Sequence, residues 1–559
     1  MMAALNSMPN DLITAYTEVF DRIGTNANGQ QFAIRVMSWI FYAARPLRMC
    51  ELMEALVVEP GDTILHVEYF HNPGFIVEEC KGLIFYDKKT DLLGFSHYTL
   101  RDYFASVKLA SLLRPLDLTK TLLTYLSFDV FKSGACRFRG EVLNRLKTHK
   151  LSLYAAKFWH FHLKKDGEYD REVQEVLFSL FGSSSHVESL LELYSLNHEL
   201  IAAINAQTQD RRLVLKLSYD EFSTETTLLH FAARYGLLGI CEKLLLHSDV
   251  ESGPAPSKWR KLSPNSIQEP RRIVKDHYSD TIGCVNLDNG QGHVALHLAA
   301  WEGHKYIVKL LLNANANPNV RTRSCDMRRA YTPLHLATRL GHLEVVQYLL
   351  EKSAHVMAVT LPDKETSLHI AARCGYLNIA KELLAAGAGI DTQNIRGSTP
   401  AHCAILWENK LEVLRLLTER GADLSIRGWR GFTALHLAIY RNNVYATKVL
   451  LNANADPMAR DFLGNTSLHV AAKIKLDVLD EPSETESLRA IVRALLQFGA
   501  DVRAESKSRE TAFLAAILAG NIIVVEELLE AAAHGLQFRK KDLSLMESIE
   551  SRPAEVTVR

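Results

Sequence analysis

From residue 223 to 534 the apolar positions repeat. A run opening on Thr-x-x-His is followed by small apolar residues, a glycine, a second run closed by a Leu pair, and a turn rich in Gly, Asn, Ala and Asp. Glu365 to Asp391 shows the unit most clearly. Each unit predicts two short helices joined by a tight turn, and its His serves as a ruler. It recurs as His230, His297, His335, His369, His402, His436 and His469, at spacings of 67, 38, 34, 33, 34 and 33. An eighth copy opens at Thr511, with Leu514 in the His position, 45 residues beyond His469.

Each position has a physical role. The Thr is placed to accept a backbone N–H at the head of the first helix, and Pro333 or Pro400 beside it has no N–H to lose. Paired alanines such as Ala371 and Ala372 leave a face shallow enough for helices to approach closely. Gly341 and Gly375 end the helix, where a left-handed residue costs least if it is Gly. Leu pairs such as Leu383-Leu384 fill the space between units. One unit cannot bury its own apolar face, so the copies are expected to stack as one cooperative array.

A period near 33 with Thr332-Pro333-Leu334-His335 resembles the ankyrin repeat; the other copies lie one or two substitutions away, and His293 to His297 is the weakest. The resemblance implies a protein-binding array of about seven or eight repeats over 223–534, with insertions near 247–290 and 476–487. The first insertion is Pro-rich and basic and predicts a solvated loop; a decayed repeat or an import signal are its alternatives. The second carries Asp477, Asp480, Glu481, Glu484 and Glu486 and predicts an acidic surface loop. Glu526, Glu527 and Glu530 in the last copy suit the exposed face of a terminal cap. Residues 535–559 read as a polar tail. The seven histidines sit at one position of a helix start, which assigns them a structural hydrogen-bonding role; no metal site is expected.

Residues 1–222 carry no repeat. Apolar positions at helical spacing in Leu12 to Ile23 and Phe32 to Ala43 predict helices. Gly82 to Asp87 and Leu92 to His97, separated by a polar turn, predict a β-hairpin, with a helix from Leu100 to Leu113 after it. The expected fold class is therefore mainly α: an ankyrin-repeat solenoid preceded by a winged-helix-like region (1–113) and a helical linker domain (114–222). MPNDLITAYTEVFDRI, MSWIFYAARPLRMCELMEAL, CKGLIFYD and FSHYTLRDYF resemble the winged-helix region that follows the NACHT domain in fungal NLR-like (STAND) proteins. LYAAKFWHFH, with Tyr154, Trp159 and His162, resembles the helical segment that those proteins carry before their ankyrin repeats. The phosphate-binding GxxxxGK[ST] of a complete NACHT protein does not occur in this sequence, so the resemblance implies a member without that domain, without nucleotide, and with a structural role for His97.

Composition narrows the picture further. Sixty-four basic residues balance 64 acidic ones in 559, so no global field favours nucleic acid or an anionic membrane. The eight cysteines form no CxxC pair, which argues against zinc or a redox dithiol. The N-terminus has acidic residues where a signal peptide would be basic and apolar, and the apolar stretch Phe513 to Val525 is shorter than the roughly 20 residues that span a bilayer. A cytoplasmic chain is expected, with the nucleus as alternative. No nucleophile, metal set or phosphate loop stands in a recognisable motif. The expected function is that of a non-catalytic scaffold or regulatory sensor with a protein partner, no cofactor, no nucleic acid and no membrane. A ubiquitin-ligase substrate adaptor, from Met8-Pro9-Asp11-Leu12, and an accessory regulator of a fungal signalling or metabolic pathway are the alternatives. Arg396, Trp429, Arg430, Arg460 and Phe462, a mixture of Arg and aromatic residues on hairpin tips, are the candidate partner-binding residues.

Overall fold

A computed structural model describes residues 10–23, 27–106, 114–136, 138–163, 167–196, 226–250, 285–290, 292–322, 330–405, 411–474, 482–533, 542 and 544. Most of the basic insertion (251–284), the first half of the acidic one and nearly all of the tail lie outside them. The chain divides into two bodies, residues 1–299 with 313–316 and residues 300–312 with 317–559.

In the first body, strands Ile84–Asp87 and Leu92–Phe95 form the expected antiparallel hairpin, with Ile84 opposite Phe95 and Asp87 opposite Leu92. The Asp87 carboxylate closes its turn by accepting from the Lys89 N–H (2.9 Å) and the Thr90 hydroxyl (2.7 Å). Helices Ala27–Tyr42, Met49–Val57 and Pro73–Glu79 pack around it, burying Met37, Trp39, Leu52, Leu93 and Phe104. Helix Pro115–Leu126 lies against helix Ser152–His162. Two buried carboxylates tie this part together. Glu54 accepts from the Tyr125 hydroxyl and from the N–H groups of Lys150 and Leu151 at 2.5–2.9 Å. Glu192 pairs with Arg145 at 2.6 Å, and Arg145 also donates to the Ser133 hydroxyl and the Gly134 carbonyl, each at 2.9 Å. The first repeat hairpin, Leu228–Tyr235 and Leu238–Val250, belongs to the same body. Phe231 meets Phe181 edge to face at 5.1 Å, Tyr235 stacks on His160 at 3.6 Å, and Glu168 accepts from the Gly239 N–H at 2.8 Å.

The second body is a stack of helical hairpins, including Pro333–Leu340 with Leu343–Glu351, Ser367–Cys374 with Leu377–Ala385, and Ala434–Tyr440 with Val444–Asn452. First helices pack on first helices and second on second. Gly341 and Gly375 end their helices at φ of +83° and +76°, as the pattern predicts. Backbone bonds join successive loops: Ile395 N–H to the Asp363 carbonyl (2.9 Å), Phe462 to Arg430 (3.3 Å) and Lys507 to Leu463 (3.0 Å).

Two expectations need correction. Residues 482–487 are not a loop. They begin the helix Pro482–Gln497, where Pro opens the first turn without an N–H to lose and Glu484 suits the positive end of the helix dipole. Of Glu526, Glu527 and Glu530, expected on an exposed face, Glu526 and Glu530 are exposed but Glu527 is buried, and all three meet Arg489 or Arg493 of that helix at 2.7–3.3 Å. In the tail, Asp542 is buried and accepts from the Thr511 hydroxyl at 3.0 Å, in the one unit where Leu514 replaces the histidine.

The repeat histidines show why that residue type recurs. In His335, His369 and His402 the Nδ1 accepts from both the N–H and the hydroxyl of the Thr three residues before, at 2.8–3.3 Å. There the Thr hydroxyl spends its proton on the imidazole; only at Thr433 and Thr511 does it accept a helix N–H, as the sequence suggests for all. A backbone N–H can only donate, so Nδ1 is bare and Nε2 carries the proton. Nε2 then donates to a carbonyl of the next unit: Leu287 from His230, Ala358 from His335, Ser398 from His369, Phe432 from His402 and Glu510 from His469, at 2.9–3.1 Å. His297 accepts from the Val294 N–H at 3.1 Å. Burial pushes His230, His335 and His436 down from 6.5 to about 4 and lowers His369, His402 and His469 as well.

Candidate functional site

A contact that recurs in several hairpins reveals where the array departs from its own rule. The residue just before the Thr faces the residue four positions beyond the His. Glu365 pairs with Arg373 at 2.5 Å, Asn465 accepts from Lys473 at 3.0 Å, and the Arg339 guanidinium lies 5.9 Å from the Tyr331 ring. In the unit headed by Thr433 these positions hold Phe432 and Tyr440, whose ring centroids are 5.7 Å apart. Trp429 completes the cluster at 6.1 Å from Phe432 and 6.3 Å from Tyr440. An apolar contact thus replaces a polar one at the end of a helix that is open to solvent.

Local geometry holds the cluster in place. The loop closes through a hydrogen bond from the Gly428 N–H to the Phe432 carbonyl (2.8 Å), and it turns on Arg430 and Gly431, at φ of +60° and +77°. A Cβ on Gly431 would stand 2.6 Å from a ring carbon of Phe462 and 2.7 Å from its backbone nitrogen, so only Gly admits this approach. The Arg430 guanidinium lies 4.2 Å from the Trp429 ring centroid.

Beyond the cluster a groove of about 670 Å³ opens between Phe432 and Tyr440 on one side and Phe462, Leu463, Val470 and Ile474 on the other, with Arg430 and Lys473 also lining it. Tyr440 is 45% exposed, Phe462 61% and Leu463 66%. Asp461 sits in the groove wall, but its carboxylate is spent on the N–H groups of Leu463 and Asn465 and the Asn465 amide, at 2.8–2.9 Å. Behind the wall, His436 stacks on Phe432 at 5.7 Å. Its Nε2 is buried and faces the backbone of Ala459 and Asn465 in the next unit without closing a hydrogen bond as well formed as those of His402 before it and His469 after it. The groove therefore opens at the joint where the cross-repeat bond is least well formed.

Of the five tip residues singled out by the sequence, Trp429, Arg430 and Phe462 come together here. Arg460 is engaged elsewhere, since its guanidinium donates to the carbonyls of Gly464 and Glu505 and ties two loops together. Arg396 is exposed on the preceding loop, where its N–H donates to the Asn394 side chain, and it does not line the groove. Tyr440, Leu463, Val470, Lys473 and Ile474 carry no tip motif and escape that reading. Alignment of the units offers the signal for Tyr440, which stands where Arg339, Arg373 and Lys473 stand in theirs. Among the described residues no group of three His, Cys, Asp or Glu side chains is placed to hold a metal, and no helix is long and apolar enough to cross a membrane.

The geometry and the comparisons agree on the class of structure. Residues 272–360 and 355–428 match the family described as ankyrin repeats (3 copies), and residues 416–471 match ankyrin repeats (many copies). The chain carries an ankyrin array in a mainly α-helical fold. It is similar to NF-kappa-B inhibitor alpha of Sus scrofa, 33% identical over 105 residues that make up 18% of this chain and 33% of the relative. It is similar also to Rabankyrin-5 of Mus musculus, 31% identical over 145 residues, 26% of this chain and 12% of the relative. The chain spans about a third of the length of the NF-kappa-B inhibitor alpha sequences it matches. Among solved structures, the ankyrin repeat domain of Bcl-3, described as a member of the IkappaB protein family, matches at 25% identity and a TM-score of 0.36, covering 43% of this chain and 99% of that one.

Proposed function

We propose that this chain is a non-catalytic regulatory scaffold that holds a protein partner in the groove between Phe432, Tyr440, Phe462 and Leu463. The observation that carries the reading is the aromatic cluster of Trp429, Phe432 and Tyr440, where sibling units have polar pairs. Trp429 and Tyr440, each 45% exposed over the buried Phe432 and beside a well-placed Arg, have the composition of a binding hot spot. The inhibitor among the relatives is a regulator by name, which supports a regulatory part for the array. The hairpin and helices of residues 10–106 fit a winged-helix module joined to it, and a cytoplasmic setting without nucleotide, nucleic acid or membrane belongs to the same reading.

The test is site-specific photocrosslinking in the full chain. A photoreactive residue at Leu463 yields covalent adducts with a discrete protein partner in extracts. The same residue at Tyr445, equally exposed on a second helix, yields none. Equal adducts at both positions, or none at Leu463, would overturn the reading.

A further inference from the structure

The loops around the groove are charged in a one-sided way. In segments 425–432, 458–465 and 503–510 the exposed ionisable side chains are all basic: Arg427, Arg430, Arg460, Arg503, Lys507 and Arg509. No carboxylate in these three segments is exposed. Asp461 is buried and fully engaged, Glu505 and Glu510 are half-buried, and Glu510 pairs with Lys473 at 3.5 Å. The neighbouring Asp423, Asp456 and Asp501 turn back on their own loops, each accepting the N–H two residues on at 2.8–2.9 Å. A chain with no net charge has thus gathered a positive rim around an opening lined by Phe432, Tyr440, Phe462 and Leu463. The opening itself, about 670 Å³, has the size of a small-ligand site and takes a few side chains, not the face of a folded domain.

We infer that the occupant is an extended acidic segment of a partner protein, whose large apolar side chains enter the groove while its carboxylates meet Arg427 and Arg430 at the rim. This rests on the protein-binding reading above and specifies the chemistry of the partner. The two halves of the ligand have separate roles. Apolar anchors displace water from the Phe432, Tyr440 and Phe462 faces, and the charges speed encounter and reject basic sequences.

Three fluorescein-labelled peptides test this against the full-length protein by fluorescence anisotropy. One has Phe and Leu interspersed with Asp and Glu, one has Lys in place of every acid, and one keeps the acids but has Ala in place of Phe and Leu. The first should bind at least about tenfold more tightly than either other, and its affinity should fall by a similar factor as salt rises from about 0.05 to 0.5 M. Arg427→Glu and Arg430→Glu should each weaken it at least threefold, whereas Lys448→Glu, the same charge change on a second helix, should leave it unchanged. Equal binding of the acidic and basic peptides, or an affinity indifferent to salt and to both Arg variants, overturns the acidic assignment and leaves the groove reading standing. Failure of all three peptides while Leu463 still crosslinks to a protein overturns the linear-segment assignment alone; failure of both experiments removes the groove as a binding site.

Discussion

His402 donates from Nε2 to the carbonyl oxygen of Phe432 at 3.0 Å, and in doing so it binds one repeat unit to the next. Phe432 is also the first wall of the groove, and the histidine of its own unit, His436, closes no comparably short bond onward to the Ala459 and Asn465 backbone that it faces. The array is held tightly on one side of the groove and less tightly on the other. Ligand-binding regions are commonly drawn from the less stable parts of a fold, and here the weak joint has an atomic origin.

This asymmetry predicts different costs for one substitution. His402→Ala removes the Thr399 contact and the well-formed bond to the Phe432 carbonyl; His436→Ala removes the contact with Thr433 and the stacking on Phe432 but no onward bond of that quality. The His402 variant should be the less stable of the two by about 1 kcal/mol, the size of one net hydrogen bond. Urea midpoints of the two full-length variants measure the difference, and coincident midpoints would refute it.

The same histidines set a pH dependence. Their folded pKa values are depressed, to about 4 in His230, His335 and His436, against 6.5 in an open chain. Above 6.5 both states are neutral and nothing is lost. Below it the unfolded chain takes up protons that the buried imidazoles refuse, so stability falls with pH by ~1.4 kcal/mol per histidine per unit down to about 4. Thermal midpoints should hold level from pH 8 to 7 and drop steadily from pH 6.5 to 5. A flat profile across that lower window contradicts the assignment.

Much of this is legible in the chain, because Thr-x-x-His fixes helix starts and the Leu pairs fix what faces the neighbour. Trp429, Arg430 and Phe462 are recognisable as tip residues for the same reason. What periodicity does not show is convergence across units. Tyr440 ends a first helix, Ile474 lies two residues beyond the end of the next one, and they become groove residues only because Gly431 lets two loops approach. Arg460 resembles its neighbours in sequence but is drawn off by the Gly464 and Glu505 carbonyls. Glu527 reads as a surface charge until the helix Pro482–Gln497 presents Arg489 and Arg493 to it, more than 30 residues away in the chain.

Gly431 supplies a direct test of the close approach. Gly431→Ala meets a left-handed backbone penalty of about 1–2 kcal/mol and also drives a methyl group into Phe462. Gly421→Ala, at φ of +80° with open space around it, meets only the first. Gly431→Ala should therefore cost at least ~1 kcal/mol more in urea unfolding and should weaken binding of the acidic apolar peptide, while Gly421→Ala leaves binding intact. Equal stability costs would show that the two loops do not touch as described.

The last prediction concerns the buried pair of Arg145 and Glu192, whose side chains are 7% and 1% exposed. Burial raises the Glu192 pKa, and the Arg145 charge opposes that rise. Arg145→Met leaves the carboxylate buried without its counter-charge, which should cost about 3–5 kcal/mol near neutral pH. With its folded pKa raised further above that of the unfolded chain, Glu192 in this variant takes up a proton more readily when folded. The cost should therefore shrink as pH falls from 7 toward 5, opposite in sign to the histidine effect. Glu192→Leu added to Arg145→Met removes the stranded charge and should recover part of the loss, though the Cys136 N–H still lacks its partner and the Gly134 carbonyl keeps only the Ser189 hydroxyl of the side-chain donors it has now. Unfolding of the two variants across this pH range decides the matter: if the double variant is as unstable as the single at pH 7, the pair contributes through packing and not through charge.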